Sequence, residues 1–121
     1  MKIDNRVVEI LKKHDISAKI SFGQNFLIDK EKIDAIYKIF DNIQSKKIIE
    51  IGCGVGTLTY GLINKFSNVI GYEIENKMIK VLKKEYNEKN FHLREEDFLK
   101  ADLSYVDENT FIVGNIPYNI T

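Results

Sequence analysis

Hydrophobic positions near the start of the chain recur with the spacing of helices. Between residues 5 and 14, Val7, Ile10 and Leu11 share one side of a helical turn, which predicts a short amphipathic helix. Asp29 is a favourable N-cap for a second helix, whose apolar residues share one face while lysines and acidic residues occupy the other. That apolar face comprises Ile33, Ile36, Tyr37, Phe40 and Ile43. Residues 1–46 are therefore predicted to form an N-terminal helical segment.

From residue 47 onward, short apolar runs alternate with helical stripes. The runs are rich in β-branched and aromatic residues and predict strands at 47–51, 69–72, 91–94 and 110–114. Helical stripes separate the first three runs, and Asn76 is a plausible cap for the second of these helices. Strands that alternate with helices are typical of a parallel sheet with right-handed crossovers. Residues 47–121 are therefore predicted to form an α/β core.

A glycine-rich turn follows the first predicted strand and marks a ligand site. Gly52, Gly54 and Gly56 are spaced two apart, and a helix is predicted to begin near Thr57. Glycine lets the chain turn sharply and lets a ligand approach bare backbone. A dinucleotide motif would place its third glycine at Thr57, and Glu50 lies inside the strand. This combination resembles the first motif of Rossmann-like methyltransferases, although a tight strand-to-helix turn in another α/β protein remains an alternative.

Polar residues follow each of the other predicted strands. Glu73 follows the second strand, Asp97 the third and Asn115 the fourth. Ligands of parallel sheets bind beyond the carboxyl ends of the strands, where these side chains meet the glycine turn. Glu73 lies at about the distance from Gly52 at which an acidic residue reaches a ribose hydroxyl, although a solvated carboxylate is the alternative. Asp97 is a candidate acceptor for an adenine amino group and, alternatively, a helix N-cap.

The tetrapeptide Asn115-Ile116-Pro117-Tyr118 has the chemistry of a site for an exocyclic adenine amine. Such an amine is a poor nucleophile because its lone pair is delocalised into the ring. The side-chain oxygen of Asn115 and a backbone carbonyl can accept its hydrogens and favour a pyramidal nitrogen. Pro117 stiffens the segment, and the ring of Tyr118 offers a stacking surface for a base taken out of its stack. The tetrapeptide is therefore predicted to be catalytic.

Composition narrows the class of protein without assigning a function. The 121 residues are 44% hydrophobic and 30% charged, which is typical of one globular domain. We expect an intracellular, cytoplasmic protein, because the sequence contains neither an apolar run long enough to span a membrane nor a signal peptide. Residues 1–47 carry ten Lys and Arg against seven Asp and Glu, a mild basic bias that permits RNA contact but equally fits a solvated surface. Cys53 is the one cysteine, predicted to be a small residue fitted into a crowded turn.

Taken together, these motifs resemble the KsgA family of ribosomal RNA adenine dimethyltransferases. The resemblance covers nearly the whole chain and includes Phe22-Gly23-Gln24-Asn25-Phe26-Leu27, the glycine turn, Glu73, Asp97 and the segment from Asn115 to Thr121. It implies a Rossmann-like fold of the class I methyltransferases, S-adenosylmethionine as cofactor and small-subunit (16S) ribosomal RNA or its 30S precursor as partner. The glycine turn and Asn-Ile-Pro-Tyr motifs are shared with the Erm methylases of large-subunit RNA, so these remain the first alternative.

The resemblance also implies roles for individual residues. Asn25 and Leu27 would contact the methionine end of the cofactor, Gly52 and Gly54 would let it lie against backbone, Glu73 would bind its ribose and Asp97 its adenine, and Asn115 would line the meeting point of cofactor and target amine. The family usually has proline or serine where Cys53 stands. The family also continues with further strands, a second aromatic and a helical domain, so the chain corresponds to its N-terminal portion.

The hypothesis from the sequence is thus dimethylation of two adjacent adenines of 16S RNA during ribosome biogenesis, by chemistry that requires no metal. A non-catalytic RNA-binding assembly factor and an adenine DNA methylase are further alternatives. We expect the 121 residues alone to be inactive on RNA and to self-associate, because the predicted fourth strand leaves a sheet edge uncovered.

Overall fold

A computed structural model describes residues 5–15, 30–43 and 46–114 of the chain. Its helices are α1 (Asn5–Lys13), α2 (Lys30–Phe40), α3 (Thr59–Lys65) and α4 (Asn76–Glu85), followed by a short 3-10 turn at Phe98–Lys100. Its strands are β1 (Lys47–Ile51), β2 (Asn68–Tyr72), β3 (Phe91–Arg94) and β4 (Thr110–Gly114). Each predicted strand is therefore confirmed to within one residue.

The four strands form one parallel sheet in the order β3-β2-β1-β4. The central strand β1 pairs with β2 on one side and with β4 on the other, so that Ile51 lies between Tyr72 and Gly114. The carboxyl ends of these strands consequently meet at one edge of the sheet. The predicted parallel sheet is confirmed, and the ligand site expected at that edge stays a prediction.

The alternation of side chains along the strands builds a separate apolar layer on each face. One layer places Ile48 and Val69 against Leu62 of α3 and Leu82 of α4, with Phe40 of α2 closing the cluster. On the opposite face, a second layer is formed by strand residues and by the connector between β3 and β4. Its members are Ile49, Ile70 and Tyr72, with Ile51, Phe98, Ala101, Leu103, Tyr105 and Val106 packed against them.

Helix α1 packs against α4 near the glycine turn. Ile10 and Leu11 are buried with Val55, Met78 and Val81, which confirms the predicted apolar side of this helix at those two positions. On α2, Ile33 and Phe40 are buried, while Ile36, Tyr37 and Ile43 are partly buried around the first layer. The described part of α2 therefore presents the face that the pattern predicted.

Two helix starts differ from the sequence prediction. Helix α3 begins at Thr59 instead of near Thr57, because residues 54–58 form consecutive turns that the three glycines permit. The N-cap of α4 is Glu75, with Asn76 as the first helical residue, and the cap position has no hydrogen bond from its own side chain. The carboxylate of Glu73 accepts the N–H of the cap residue Glu75, which fixes the backbone that leads into the helix.

Strand β4 has a neighbour on one side only within the described residues. Its Phe111 and Ile112 are 36% and 43% exposed, so apolar surface accompanies the unpaired backbone. None of the described helices combines the length and the apolar character needed to cross a bilayer.

Candidate cofactor-binding site

The glycine turn after β1 has three positions whose backbone conformation favours glycine, because other residues would be strained there. Gly52, Gly54 and Gly56 all have positive φ, at 74°, 58° and 87°. The Gly52 N–H donates to the Tyr72 carbonyl at 2.8 Å, which continues the β1–β2 ladder to the first glycine. The Gly56 N–H then donates to the Cys53 carbonyl at 3.0 Å and closes the turn. We call residues 52–58 the glycine loop; Gly52 and Gly54 are partly exposed and leave backbone open to a ligand, whereas Gly56 is buried.

Glu73 lies directly against the glycine loop. One carboxylate oxygen, Oε1, accepts the Gly54 N–H at 2.8 Å, and the other, Oε2, accepts the N–H groups of Ile74 and Glu75, each at 3.0 Å. The side chain is only 8% exposed, so the solvated carboxylate considered for this position is wrong. A carboxylate has about four lone-pair sites, and these three donors leave one further site for a hydroxyl group.

Glu50 is a buried carboxyl group beneath the same loop. It is 1% exposed, and its Oε1 accepts a hydrogen bond from the Thr59 hydroxyl at 2.5 Å. Burial raises the pKa of Glu50 from its ordinary 4.5 to about 7, although the Thr59 bond acts in the opposite direction. The sequence placed Glu50 in the strand but gave it no partner. A lone threonine among the apolar residues of α3 was the available signal.

Cys53 fills a crowded position in the loop, as the sequence predicted. It is 4% exposed, and a Cβ added to Gly71 of β2 would lie 2.5 Å from its sulfur. Burial raises the pKa of the Cys53 thiol well above its usual range, and the charges of Glu50 and Glu73 raise it further. The thiol form is therefore held, and a thiolate nucleophile is disfavoured here.

Two tyrosine hydroxyl groups support the loop from its helical side. The Tyr37 hydroxyl of α2 donates to the Thr57 carbonyl at 2.8 Å, and the Tyr86 hydroxyl is 2.9 Å from the Gly56 carbonyl. The sequence analysis assigned Tyr37 to the apolar face of the second helix and missed the polar contacts of both tyrosines. Their hydroxyl groups were the only signal, since a buried tyrosine hydroxyl normally finds a hydrogen-bond partner.

Asp97 caps the 3-10 turn after β3. Its Oδ1 accepts the Leu99 N–H at 3.0 Å, so the N-cap alternative of the sequence analysis is realised. The second oxygen is not used in that bond and keeps its capacity as an acceptor.

Two large apolar side chains are strongly exposed after β2 and β3. Ile74, next to Glu73, is 65% exposed, and Leu99 is 89% exposed. The edge of the sheet therefore combines carboxylate oxygens with uncovered apolar surface.

The remaining predicted site residues lie outside the described part of the chain. These are Asn25, Leu27, Asn115, Pro117 and Tyr118. The last described residue, Gly114, is paired with Ile51 immediately before the glycine loop. Across residues 5–15, 30–43 and 46–114, no cluster of His, Cys, Asp or Glu side chains has the composition of a metal site.

Comparison with known sequences gives one consistent family. The profile of the family described as ribosomal RNA adenine dimethylase matches residues 16–121. The protein named ribosomal RNA small subunit methyltransferase A from Mycoplasmopsis synoviae is 44% identical over 108 residues, and that from Mycoplasma mobile is 45% identical over 103 residues. These alignments cover 88% and 85% of this chain but 41% and 40% of the relatives. The chain thus spans about two fifths of their length.

Solved structures agree with this assignment. The 23S rRNA methyltransferase ErmE has a TM-score of 0.65 and 31% identity, over 79% of this chain and 39% of that one. A dimethyladenosine transferase from Plasmodium falciparum has a TM-score of 0.65 and 30% identity, over 80% of this chain and 35% of that one. The predicted Rossmann-like methyltransferase fold is thereby confirmed. The resemblance drawn from the glycine loop and the Asn-Ile-Pro-Tyr motif is confirmed as well: the chain belongs to the ribosomal RNA adenine dimethylase family.

Proposed function

We propose that this chain is the cofactor-binding and methyl-transferring part of an enzyme that dimethylates adenines of small-subunit ribosomal RNA. The observation that carries the proposal is the contact between Glu73 and the Gly54 N–H in a member of this family. It brings an acidic acceptor from the end of β2 against bare backbone at the end of β1. The small-subunit methyltransferases among its relatives favour the 16S substrate. Such a substrate would place the protein in the cytoplasm.

The described residues fit S-adenosylmethionine, a nucleoside joined to a methionine through a sulfonium centre. Gly52 and Gly54 leave backbone uncovered, and the remaining lone-pair site of Glu73 is available to one ribose hydroxyl. The exposed side chains of Ile74 and Leu99 offer apolar surface for an adenine ring, and the second oxygen of Asp97 can accept from its amino group. When bound, the cofactor supplies an electrophilic methyl group. The chain's own residues supply orientation.

Asn115 and Tyr118 would act on the RNA base. Asn115 follows Gly114, which is paired beside the start of the glycine loop. Its side-chain oxygen would accept a hydrogen of the adenine amine, and the ring of Tyr118 would stack on the flipped base. Pro117 would hold the intervening backbone rigid. Asn25 and Leu27 would contact the methionine end of the cofactor. Catalysis in this arrangement rests chiefly on positioning the amine in line with the methyl group.

A chimera tests the substrate and the chemistry together. In it, this chain replaces the matching two fifths of the Mycoplasmopsis synoviae relative, and methyl transfer from labelled S-adenosylmethionine is measured on undermethylated small subunits, on large subunits and on DNA. We expect label in small subunits only, and a loss of roughly 10²–10³ in turnover for Asn115→Ala. The unmodified relative serves as the positive control.

The other outcomes distinguish the alternatives. Label in large subunits would indicate an Erm-type enzyme, and label in DNA a DNA methylase. A folded chimera that binds RNA but transfers no methyl group to any substrate would indicate a non-catalytic assembly factor. Calorimetry on the 121-residue chain tests the cofactor separately, because its predicted contacts lie within this sequence.

A further inference from the structure

The carbonyl of Gly56 is a point of convergence on the helical side of the glycine loop. It accepts the Tyr60 N–H at 3.2 Å, the Tyr86 hydroxyl at 2.9 Å and Nη2 of Arg6 at 3.2 Å. The ring of Tyr86 packs so closely that a Cβ on Gly56 would lie 2.3 Å from it. The last glycine of the loop is therefore held by three separate elements: its own helix, α4 and α1.

Arg6 makes several contacts at this point. Its Nη1 donates to the Tyr86 hydroxyl at 2.6 Å, while its guanidinium carbon lies 4.2 Å from the ring centre of Tyr60 and 5.7 Å from that of Tyr86. The planar guanidinium group is suited to this combination of bidentate donation and ring stacking, which a lysine cannot reproduce. Because Arg6 donates to the Tyr86 hydroxyl, it also fixes the direction in which that hydroxyl can donate to the loop.

Helix α1 is held by contacts along its length, and these restrict the position of Arg6 relative to the glycine loop. Ile10 and Leu11 are buried against Val55, Met78 and Val81. At the other end of the helix, Lys13 and His14 contact the carboxylate of Glu85 at 3.0 and 2.8 Å. The bonds from His14 and Lys13 hold the pKa of Glu85 below its usual range. Helix α1, which lies outside the βαβ unit, thus contacts the backbone of the loop that would bind the cofactor.

We propose that Arg6 is a positioning residue of the cofactor site, which fixes the glycine loop from behind before the cofactor binds. The inference rests on the proposed function in one respect, namely that the loop holds S-adenosylmethionine. Glycine-rich backbone loses more conformational freedom on ordering than any other, so an unsupported loop would order only at the expense of cofactor affinity. Arg6 lowers that penalty because it ties the Gly56 carbonyl and Tyr86 together in the free protein.

The test combines hydrogen exchange and calorimetry on the chain with Arg6→Ala, Arg6→Lys and the control Lys12→Ala, which removes an exposed cation from the same helix. In Arg6→Ala without cofactor, we expect the amides of Gly56 and Tyr60 to exchange at least fivefold faster, while those of β2 are unchanged. The dissociation constant for S-adenosylmethionine should rise at least fivefold. Arg6→Lys should be intermediate, and Lys12→Ala should match the wild type in both measurements.

Each other result overturns the inference in a recognisable way. Faster exchange throughout β2 in Arg6→Ala would mean that Arg6 stabilises the whole fold. In that case Arg6→Lys, which keeps the charge and the aliphatic stem, decides the question: the inference fails if this variant is folded and its loop amides exchange as in the wild type. Faster loop exchange with an unchanged dissociation constant would separate the loop from cofactor affinity. If the wild-type chain binds no S-adenosylmethionine, the proposed cofactor function fails first and takes this inference with it, whereas normal wild-type binding with an unaltered Arg6→Ala variant refutes the role of Arg6 alone.

Discussion

A carboxyl group in the middle of a sheet is costly unless it is neutral or well paired. Glu50 is buried between β2 and β4, with the Thr59 hydroxyl as its hydrogen-bond donor. Burial outweighs the hydrogen bonds from the neutral Thr59 hydroxyl and Cys53 thiol, so the proton is retained to a pKa of about 7. Glu50 is therefore a proton-binding group of the folded protein at pH values where the unfolded chain has already released that proton.

This difference makes stability depend on pH in a defined direction. Because the folded pKa lies above the ordinary 4.5, the contribution of Glu50 to folding is complete below that value and is lost as the pH rises to about 7. The loss is at most on the order of 3 kcal/mol over this interval, at 1.36 kcal/mol per pH unit. Glu50→Gln keeps an acceptor for Thr59 without a titrating proton. We expect the wild type to lose free energy of unfolding relative to Glu50→Gln as the pH rises from 5 to 7.5, as measured by urea unfolding. Parallel pH profiles for the two proteins would contradict the assignment.

At the scale of elements, α2 and α3 interlock through a tyrosine and a glycine. A Cβ on Gly61 of α3 would lie 2.3 Å from the ring of Tyr37, and the Tyr37 hydroxyl is tied to the Thr57 carbonyl. Contacts therefore hold both the ring and the hydroxyl group of Tyr37. Glycine inside a helix normally reduces stability relative to alanine, so close packing is the physical reason for its presence here.

This packing reverses the usual effect of a substitution. Gly61→Ala should gain ~1 kcal/mol from helix propensity but should lose more to overpacking, for a net destabilisation of ~1–2 kcal/mol in urea unfolding. In a Tyr37→Leu background, which opens the space, the same Gly61→Ala change should become neutral or stabilising. An equal cost in both backgrounds would show that the contact with Tyr37 is not the cause.

The elements themselves could be predicted from sequence because their patterns are local. The four strands, their parallel direction and the buried faces follow from alternation and turn residues. The position of Glu73 beside the glycine loop follows from its spacing within one βαβ unit, while its contact with a ribose stays a prediction. The contacts of Gly56 with Tyr86 and of Gly61 with Tyr37 could not be predicted, since they join residues 30 and 24 positions apart in separate parts of the fold. Likewise, Asn76 was wrong as a cap because the helix begins one residue earlier than expected, with Glu75 at the cap position and Asn76 as the first helical residue.

At the scale of the whole molecule, β4 and β3 are the two edges of the sheet within the described residues, and β4 is the edge that carries large exposed apolar side chains. Its unpaired backbone lies beside exposed Ile112, and a flat apolar edge is a template for pairing with another strand. The helical face of the same strand is better covered, because Phe111 packs edge-on against Phe40 at 6.3 Å between ring centres. Association of the 121-residue chain is therefore expected to proceed through the edge.

A charge placed on this edge should prevent the association. We expect the wild-type chain to associate with increasing concentration in sedimentation equilibrium, and Ile112→Lys to raise the dissociation constant at least tenfold, or ~1.4 kcal/mol. Ile39→Lys is the matched control, because Ile39 is also exposed but lies on α2, away from the edge. An equal effect of both substitutions would indicate non-specific hydrophobic association, and a monomeric wild type would rule out pairing through β4.

The order of the strands along the chain also bears on when the glycine loop can form during synthesis. In the chain, β4 follows β1, β2 and β3, so it is the last of the four strands to leave the ribosome, and it then pairs with the central strand, where Thr110 lies opposite Lys47. The contacts described for the glycine loop come from Arg6, Tyr37, Tyr72, Glu73 and Tyr86, all of which precede β4 in the chain. A nascent chain that has emerged as far as β3 therefore already contains the supports of the loop. On the proposed function, the strand that leads to Asn115 would then be added to a loop whose supports have already been synthesised, so the cofactor side and the base side of the site would be completed one after the other.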